Sequence, residues 1–328
     1  MSNDYKSKLL ALHNILIQKT DENHSISMQD ILFYMEMEGC SCSDDSIRRY
    51  IRQLQEQLDL DVISTQGRNA QYYIGTKLLE IEEMKLIVDS INASNFIEKS
   101  VADKMIGKLK STMSEHEVKE LDRSVLGVNI AKADNKKILI NVNLIQEALK
   151  KDIQISFDYM YWNKNKKLVK KREKKYIMNP WALIWANDRY YLFCYKKMND
   201  NVGLKECVYR VDKLDNIELI DKRREGREKF RSFNASTYVS RHMGMFTGEE
   251  KTITVRVTEN LIGAFIDQYG KRIQIEEELE GKFLITFNAC PSDLLLGWLI
   301  GLKDVEVVYP DSVKTNIKEL IKYNMDKY

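Results

Sequence analysis

Hydrophobic and polar positions alternate with two periods along the chain, and the changes between them predict its elements. Tyr5 to Lys19 carries Leu9, Leu10, Leu12, Ile15 and Leu16 with polar residues between, the pattern of an amphipathic helix. Thr20 to Ser25 is a polar break. Ser27 is then placed to cap a helix over Met28 to Glu38, with Gly39 at its C-terminal end. Ser43 is placed to cap a third helix, Asp44 to Leu58. Its Ile47, Ile51, Leu54 and Leu58 share one face, while Asp45, Arg49, Arg52 and Gln53 point away and Arg48 lies on the flank. Val62 to Thr65 and Gln71 to Ile74 are strands around a turn at Gln66-Gly67-Arg68-Asn69, which makes a hairpin.

Three further amphipathic helices follow: Leu79 to Asn92 with a face of Leu86, Ile87 and Ile91, Ile97 to Met113 with Met105, Ile106 and Leu109, and Glu115 to Leu121. They contain no polar cluster that points to chemistry and read as a helical connector. Val125 to Lys136 is a looser segment. Asn143 is placed to cap a helix ending at Lys151, after which the period changes to two. Ile153, Ile155, Phe157, Tyr159 and Tyr161 lie on one side of a strand. More short strands follow: Pro180 to Trp185, a turn at Ala186-Asn187-Asp188, Arg189 to Tyr195, and Cys207 to Ile217. Lys222 to Lys229 is a charged run that reads as a solvated linker or helix. The last part alternates strand (Lys251 to Val257), helix (Asn260 to Tyr269), strand (Arg272 to Glu278), strand (Phe283 to Phe287), helix (Asp293 to Leu302, capped by Ser292), strand (Val305 to Tyr309) and a final helix capped by Ser312. That β-α-β-β-α-β order is ferredoxin-like.

Composition narrows the class. A chain of 328 residues, 44% hydrophobic and 30% charged, has enough apolar surface for several cores. No apolar run near its start has the form of a signal peptide, and no stretch is long and apolar enough for a membrane span. Five cysteines without a scaffold pattern suit a reducing compartment, so a cytoplasmic protein is expected. Cys40-Ser41-Cys42 has no second pair to complete a metal site, and neither a metal nor a cofactor is expected. Net charge is only +2, but its distribution is uneven: residues 1–75 hold seven bases against eleven acids, and residues 150–229 hold twenty-one against twelve. Eight of the twelve positions from Lys164 to Lys175 are basic, a positive ridge or a solvated hairpin tip. A basic middle favours an anionic partner.

Three helices followed by a hairpin form the pattern of a winged helix-turn-helix. The run Ser46-Ile47-Arg48-Arg49-Tyr50-Ile51-Arg52-Gln53-Leu54 resembles the recognition helix of DeoR-type regulators, where Thr-Ile-Arg-Arg-Asp-Leu is common, with Tyr50 in place of the acid. An arginine pairs bidentately with guanine and a glutamine with adenine in the major groove. Ser46, Arg48, Arg49, Arg52 and Gln53 are therefore the candidate readers of duplex DNA, with Arg68 at the wing tip as a phosphate or minor-groove contact. The plain alternative is a solvated helix face.

Tyr190-Tyr191-Leu192 resembles the Trp-Tyr-Leu triplet of the WYL domain, and Arg210-Val211-Asp212-Lys213-Leu214 resembles that family's Arg-x-Asp-Arg-Ile-like run. The resemblance implies an Sm-like small β-barrel. Phe233 to Gly248 resembles the bridge from such a domain to its C-terminal extension, often called WCX. The expected architecture is thus α+β and multidomain. It comprises a winged helix-turn-helix (1–75), a helical connector (76–140), a WYL sensor domain (141–222), a linker (223–248) and a ferredoxin-like WCX domain (249–328). The signature positions imply an effector surface of Tyr159, Arg189, Tyr191, Arg210 and Lys213. Guanidinium groups there would pair with phosphate and tyrosine would stack on a base. A structural role, with Arg210 paired to Asp212 and the aromatics in the core, is the competing reading.

The expected function is a sequence-specific, DNA-binding transcription regulator. It would be a homodimer on a double-stranded operator, sensing a nucleotide, single-stranded nucleic acid or other anionic ligand. The alternative is a non-regulatory nucleic-acid-binding accessory protein that works through the basic middle domain. An enzyme is disfavoured, because the chain has no phosphate-binding glycine loop, paired metal-ligand motif or Gly-x-Ser-x-Gly elbow, and its four histidines lie in different segments.

Overall fold

The computed structural model describes residues 3–67, 69–124, 137–198, 203–278 and 281–327. The chain divides into two compact units, Met1–Asp134 and Asn135–Tyr328. Arg68 and the segment 125–136 lie outside the described residues. Among the described residues no helix is long and apolar enough to cross a membrane.

The first unit begins with α1 (Asn3–Lys19), β1 (Ile26–Ser27), α2 (Met28–Met37), α3 (Asp44–Leu58), β2 (Val62–Ser64) and β3 (Gln71–Ile74). The three strands form an antiparallel sheet in the order β1-β3-β2. β1 is too short to carry a period and was not legible as a strand. Ser27 caps α2 through a reciprocal box: its hydroxyl accepts from Asp30 N, and the Asp30 carboxylate accepts from Ser27 N. Ser43 occupies the N-cap position of α3, but its hydroxyl pairs with Ser46 Oγ at 3.1 Å and makes no capping bond. Leu12 and Leu16 of α1, Ile31 and Met35 of α2, and Ile47, Ile51 and Leu54 of α3 close one core with Tyr72 and Ile74. Tyr50, the departure from the DeoR-like run, is buried in that same core.

Helices α4 (Ile81–Ala93), α5 (Lys99–Lys110) and α6 (Glu115–Ser124) complete the unit. Their packing differs from the expected face: Met84, Val88 and Ile91 are buried, while Leu86 is exposed. Residues at i, i+4 and i+7 also satisfy the helical period, and a neighbouring cluster of Met113 and Leu121 selects that stripe. The helices also carry a polar cluster that the sequence did not reveal. The buried Asp21 carboxylate accepts from Ser114 Oγ at 2.5 Å and is paired with His24, whose ring stacks on His116 at 3.7 Å. Lys77 reaches Glu117 at 2.5 Å.

The second unit opens with α7 (Ile138–Lys151). It starts before the expected cap at Asn143, which lies inside the helix; buried Asn141 instead donates to Leu214 O at 2.8 Å. Strands β4 (Ile153–Trp162), β5 (Leu168–Lys170), β6 (Tyr176–Ala186), β7 (Arg189–Lys197) and β8 (Leu204–Arg210) follow. A 3-10 turn over Val211–Lys213 then leads into β9 (Leu214–Arg223). The sheet runs β5-β4-β6-β7-β8, and β9 pairs back on β4. The corner at Val211–Lys213 therefore curls the sheet towards closure, around Ile155, Phe157, Met178, Leu192, Cys194, Val211 and Leu214. The β6–β7 turn needs only Asn187 and Asp188, both with positive φ as a type I′ hairpin demands.

The charged run 222–229, expected as a solvated linker or helix, holds the end of β9 and the start of a short helix and is part of this wall. Arg224 has only 12% of its side chain exposed. It donates to Asp152 Oδ1 and Pro180 O, both at 2.6 Å, and lies 3.9 Å over the Trp181 ring. The chain then covers the outer face of β6–β8 with α8 (Arg227–Phe230), α9 (Ala235–Arg241) and a 3-10 turn at Met243–Met245. Gly226 makes the approach possible. Its φ is +110°, and a Cβ there would stand 2.5 Å from the Tyr195 ring.

The rest is β10 (Lys251–Thr258), a 3-10 turn (Glu259–Leu261), α10 (Ile262–Tyr269), β11 (Gln274–Glu277), β12 (Lys282–Ala289), α11 (Asp293–Gly301), β13 (Glu306–Tyr309) and α12 (Asp311–Met325). The sheet order is β11-β12-β10-β13, antiparallel throughout. Pro310, and not Ser312, takes the N-cap position of α12. Ile253, Val255, Val257, Ile285 and Phe287 face the three helices. Strand alternation turns Thr252, Thr254, Thr286 and Asn288 to the opposite side, where Thr254 and Thr286 bond at 2.9 Å.

Candidate functional site

The strongly amphipathic α3 separates anchoring from display. Ile47, Tyr50, Ile51 and Leu54 are buried, while Arg48, Arg49 and Arg52 are exposed and Ser46 and Gln53 are half-buried. Each buried aliphatic side chain stabilises the seating by about 1.5–3 kcal/mol, so the arginines sit on a rigid rod. Arg48 Nη1 donates to the Tyr72 hydroxyl at 3.4 Å, which ties the flank of α3 to β3 of the hairpin. Arg49 lies 5.4 Å from the Tyr50 ring. Asp44 and Asp45 occupy the first turn of the helix. They suit its dipole and would oppose a phosphate at that end.

In the curled sheet the expected effector residues divide. Tyr191 lies opposite Arg210 in the β7–β8 register, so the two share a face. That face is the covered one: Tyr191 is only 7% exposed and packs with Trp181, Ile184 and Phe193. Its ring is a wall and not an open stacking platform. Arg210 makes a bidentate pair with the buried Asp212, Nε to Oδ1 at 3.1 Å and Nη2 to Oδ2 at 2.6 Å, and this bond holds its guanidinium above the usual arginine range. Tyr159 packs against the core on the inner face of the sheet, with the Tyr209 ring at 5.1 Å. Burial pushes its phenol up, opposed by a hydrogen bond with the Arg210 backbone. Lys213 Nζ stands 4.6 Å over the Trp162 ring. Arg189 begins β7 and donates to Asn187 O at 3.4 Å. Tyr159, Tyr191 and Arg210 thus meet around the end of β8, Lys213 joins a different aromatic, and Arg189 belongs to the hairpin turn.

The lysine-rich ridge is partly neutralised. Lys170 pairs with Asp158 at 3.0 Å, Lys175 with Glu218 at 2.6 Å, and Arg172 stacks 3.5 Å over the Tyr176 ring. Lys164, Lys166, Lys167, Lys171 and Lys174 remain exposed. Beside this charge Tyr161 and Trp162 are about half exposed, so they offer an open aromatic surface next to the basic ridge. Trp162 was missed because it ends β4 on the side opposite the apolar alternation. An aromatic at a strand end beside a basic loop was the available signal.

Two carboxylates of this sheet and its flank, Asp152 and Asp158, are held below their ordinary value by well-formed partners. A bond from Asn216, together with Lys170, holds Asp158 below the ordinary carboxylate value, against the opposing effect of burial. Arg224 and then Arg227 do the same for Asp152. A lowered folded value means stability present above the unfolded value of 3.8 and lost as pH falls through the folded one. Urea midpoints should therefore drop between about pH 5 and pH 2, and the drop should be shallower in Asp152→Asn and Asp158→Asn. Equal slopes in all three proteins would show that these pairs do not carry it.

No curated protein matches the chain. Among solved structures the chain is similar to the proteasome accessory factor B/C (PafBC) of Arthrobacter aurescens. The identity is 15%, the match covers 98% of this chain and 49% of that chain, and the TM-score is 0.29. The chain therefore spans about half the length of that structure's chain. The triplet on β7 and the Arg210–Leu214 corner both fall within residues 141–219, and this segment matches the family model of the WYL domain: the strands that curl from β4 to β9 are a WYL domain.

Proposed function

We propose that this protein is a cytoplasmic, non-enzymatic transcription regulator that reads duplex DNA through α3 and senses an anionic ligand through its WYL domain. In this reading residues 1–75 form a winged helix-turn-helix with the α4–α6 helices as its connector. The barrel of 141–222 is Sm-like, and 249–328 is a ferredoxin-like WCX domain. The observation that carries the reading is the exposed Arg48-Arg49-Arg52 face on a helix whose other side is buried. A helix fits the major groove, and exposed arginines at its surface pair with guanine edges. Gln53 and Ser46 complete the reading face, and Arg68 is assigned to the backbone or minor groove.

One such module contacts one half-site, so the active species is a homodimer on a two-fold operator. The effector is a nucleotide or single-stranded nucleic acid held at Arg210, where Tyr159 and Tyr191 meet it; Arg189 and Lys213, expected in the same site, belong to the hairpin turn and to the Trp162 ring. It acts by favouring one of two states that differ in operator affinity.

Selection of bound fragments from random duplex DNA tests the reading, with sedimentation of the selected complex alongside. The expected result is a pseudo-palindromic site bound by two copies, with an affinity that changes when single-stranded oligonucleotide is added. Sequence-independent binding, or a monomer on the selected site, would overturn it and favour an accessory protein acting through the basic barrel.

A further inference from the structure

The four histidines lie in different segments of the sequence, yet the fold stacks two of them: the rings of His24 and His116 are 3.7 Å apart and 4° from parallel. The stack closes a joint within the first unit, between α1–α3 with their hairpin and the helices α4–α6. On one side, the corner after α1 is closed on itself, Asp21 N donating to His24 O at 3.0 Å and His24 N to Asp21 O at 3.1 Å. Thr20 ties this corner to the hairpin, because its hydroxyl accepts from Ile74 N at 3.1 Å. On the other side, Ser114 stands before α6 and caps it. Its hydroxyl accepts from Glu117 N at 3.1 Å, and the Glu117 carboxylate accepts from Ser114 N at 2.9 Å. Asp21 spans the two sides, accepting from Ser114 Oγ and from His24 Nδ1, the latter at 2.7 Å. Thr20, Asp21 and Ser114 are all buried.

The charges around the stack are already matched, save at one ring. Lys19 pairs with Glu115, and Lys77 pairs with Glu117 while also donating to Thr20 O at 3.3 Å. Glu22, Lys119 and Glu120 are exposed, where water and salt screen them. Asp21 is bonded to His24, but among the described residues no carboxylate pairs with His116. Burial works to raise the Asp21 carboxyl, and bonds from Ser114 and His24 hold it below its ordinary range, so it stays charged wherever histidine titrates. A first proton on the pair therefore meets a carboxylate. A second places two like charges 3.7 Å apart and leaves one of them without a partner.

We propose that the His24–His116 stack is an acid-opened latch that fastens α1–α3 and their hairpin to the helices α4–α6. With no proton or one on the pair the joint is closed; with two, repulsion opens it. The stability that the stack contributes is present above the ordinary histidine range and lost as pH falls through it. That interval lies above the one in which Asp152 and Asp158 lose their partners. The consequence for DNA, a reading helix that turns freely on its connector in acid, rests on the function proposed for α3. The latch itself does not.

Amide exchange of the full chain at about pH 8 and about pH 5.5, corrected for the intrinsic rate, tests it. Protection over residues 19–24 and 114–124 should fall at least about fivefold at the lower pH, the weak limit that bulk water sets for two like charges at this distance. Protection over α3, which is held by its own core, should change by less than about twofold. His116→Phe keeps a ring on His24 and cannot take a proton, so it should retain protection at both pH values. His116→Gln cannot take one either, and it should lose the pH response even where loss of the stack lowers protection throughout. Ring resonances should show His24 and His116 titrating in two coupled steps, reduced to one step for His24 in His116→Phe. Protection independent of pH would overturn the proposal. So would the parental pH response in both His116 variants, which would place the titrating group elsewhere, or titration of the two rings as independent groups. None of these readouts involves DNA, so failure of the α3 reading would leave them unchanged.

Discussion

Replacing Arg49 and Arg52 together with alanine is expected to remove sequence-specific duplex binding without unfolding the protein. Each base-contacting arginine contributes about 1–3 kcal/mol of discrimination, or about 5- to 150-fold in affinity. Both side chains are exposed on α3, while the helix is seated by Ile47, Tyr50, Ile51 and Leu54 on its other side. The stability change should stay within about 0.5 kcal/mol. Footprinting on the selected operator and a urea titration of the same variant separate the two effects. A footprint retained at parental protein concentration would show that another element reads the DNA.

The largest effect on stability is expected at Phe193. Its side chain is fully buried where the covering segment meets the outer face of the sheet. The Phe233 ring lies 4.4 Å away, Tyr238 5.2 Å and Tyr195 5.5 Å. Phe193→Ala removes the shared partner of these rings and leaves a cavity that a β-strand cannot close, at a cost of about 3–5 kcal/mol. The loss should be local as well as global. Amide exchange over residues 226–246 should accelerate more than exchange in α3, which belongs to the other unit. A loss below about 1 kcal/mol would mean that the covering segment repacks onto the gap.

These two sites differ in how far the sequence reveals them. On α3 the buried and exposed positions separate by helical period alone, because a surface helix has one partner side and one solvent side. In the curled sheet the same reasoning fails at Tyr190-Tyr191-Leu192. Alternation puts Tyr191 opposite its neighbours, but both faces of β7 are covered: Leu192 packs in the core on the inner face of the sheet and Tyr191 lies under the α8–α9 segment. A period of two reports which residues share a face and not which face meets water. The same ambiguity misled the reading of α4, where two overlapping stripes fit the period and packing chose Met84 and Val88 over Leu86. Arg210 shows a third limit. Its proximity to Asp212 was legible, but the bidentate bond depends on the 3-10 corner that turns Asp212 back towards it.

The sequence by itself determined most of the longer helices and strands, the outward phase of Arg49 and Arg52, and the signatures of the WYL domain, but not β1, α9 or the 3-10 turn that separates β8 from β9. What it determined follows from local spacing, and local spacing is a property of the chain before it folds. Only the tertiary structure decided which charges stay available. Lys170 and Arg224 are engaged by Asp158 and Asp152, while Arg272 meets no described carboxylate. It also stacked His24 on His116. Those two come from the corner after α1 and from α6, and no sequence period links positions that meet only when the helices pack.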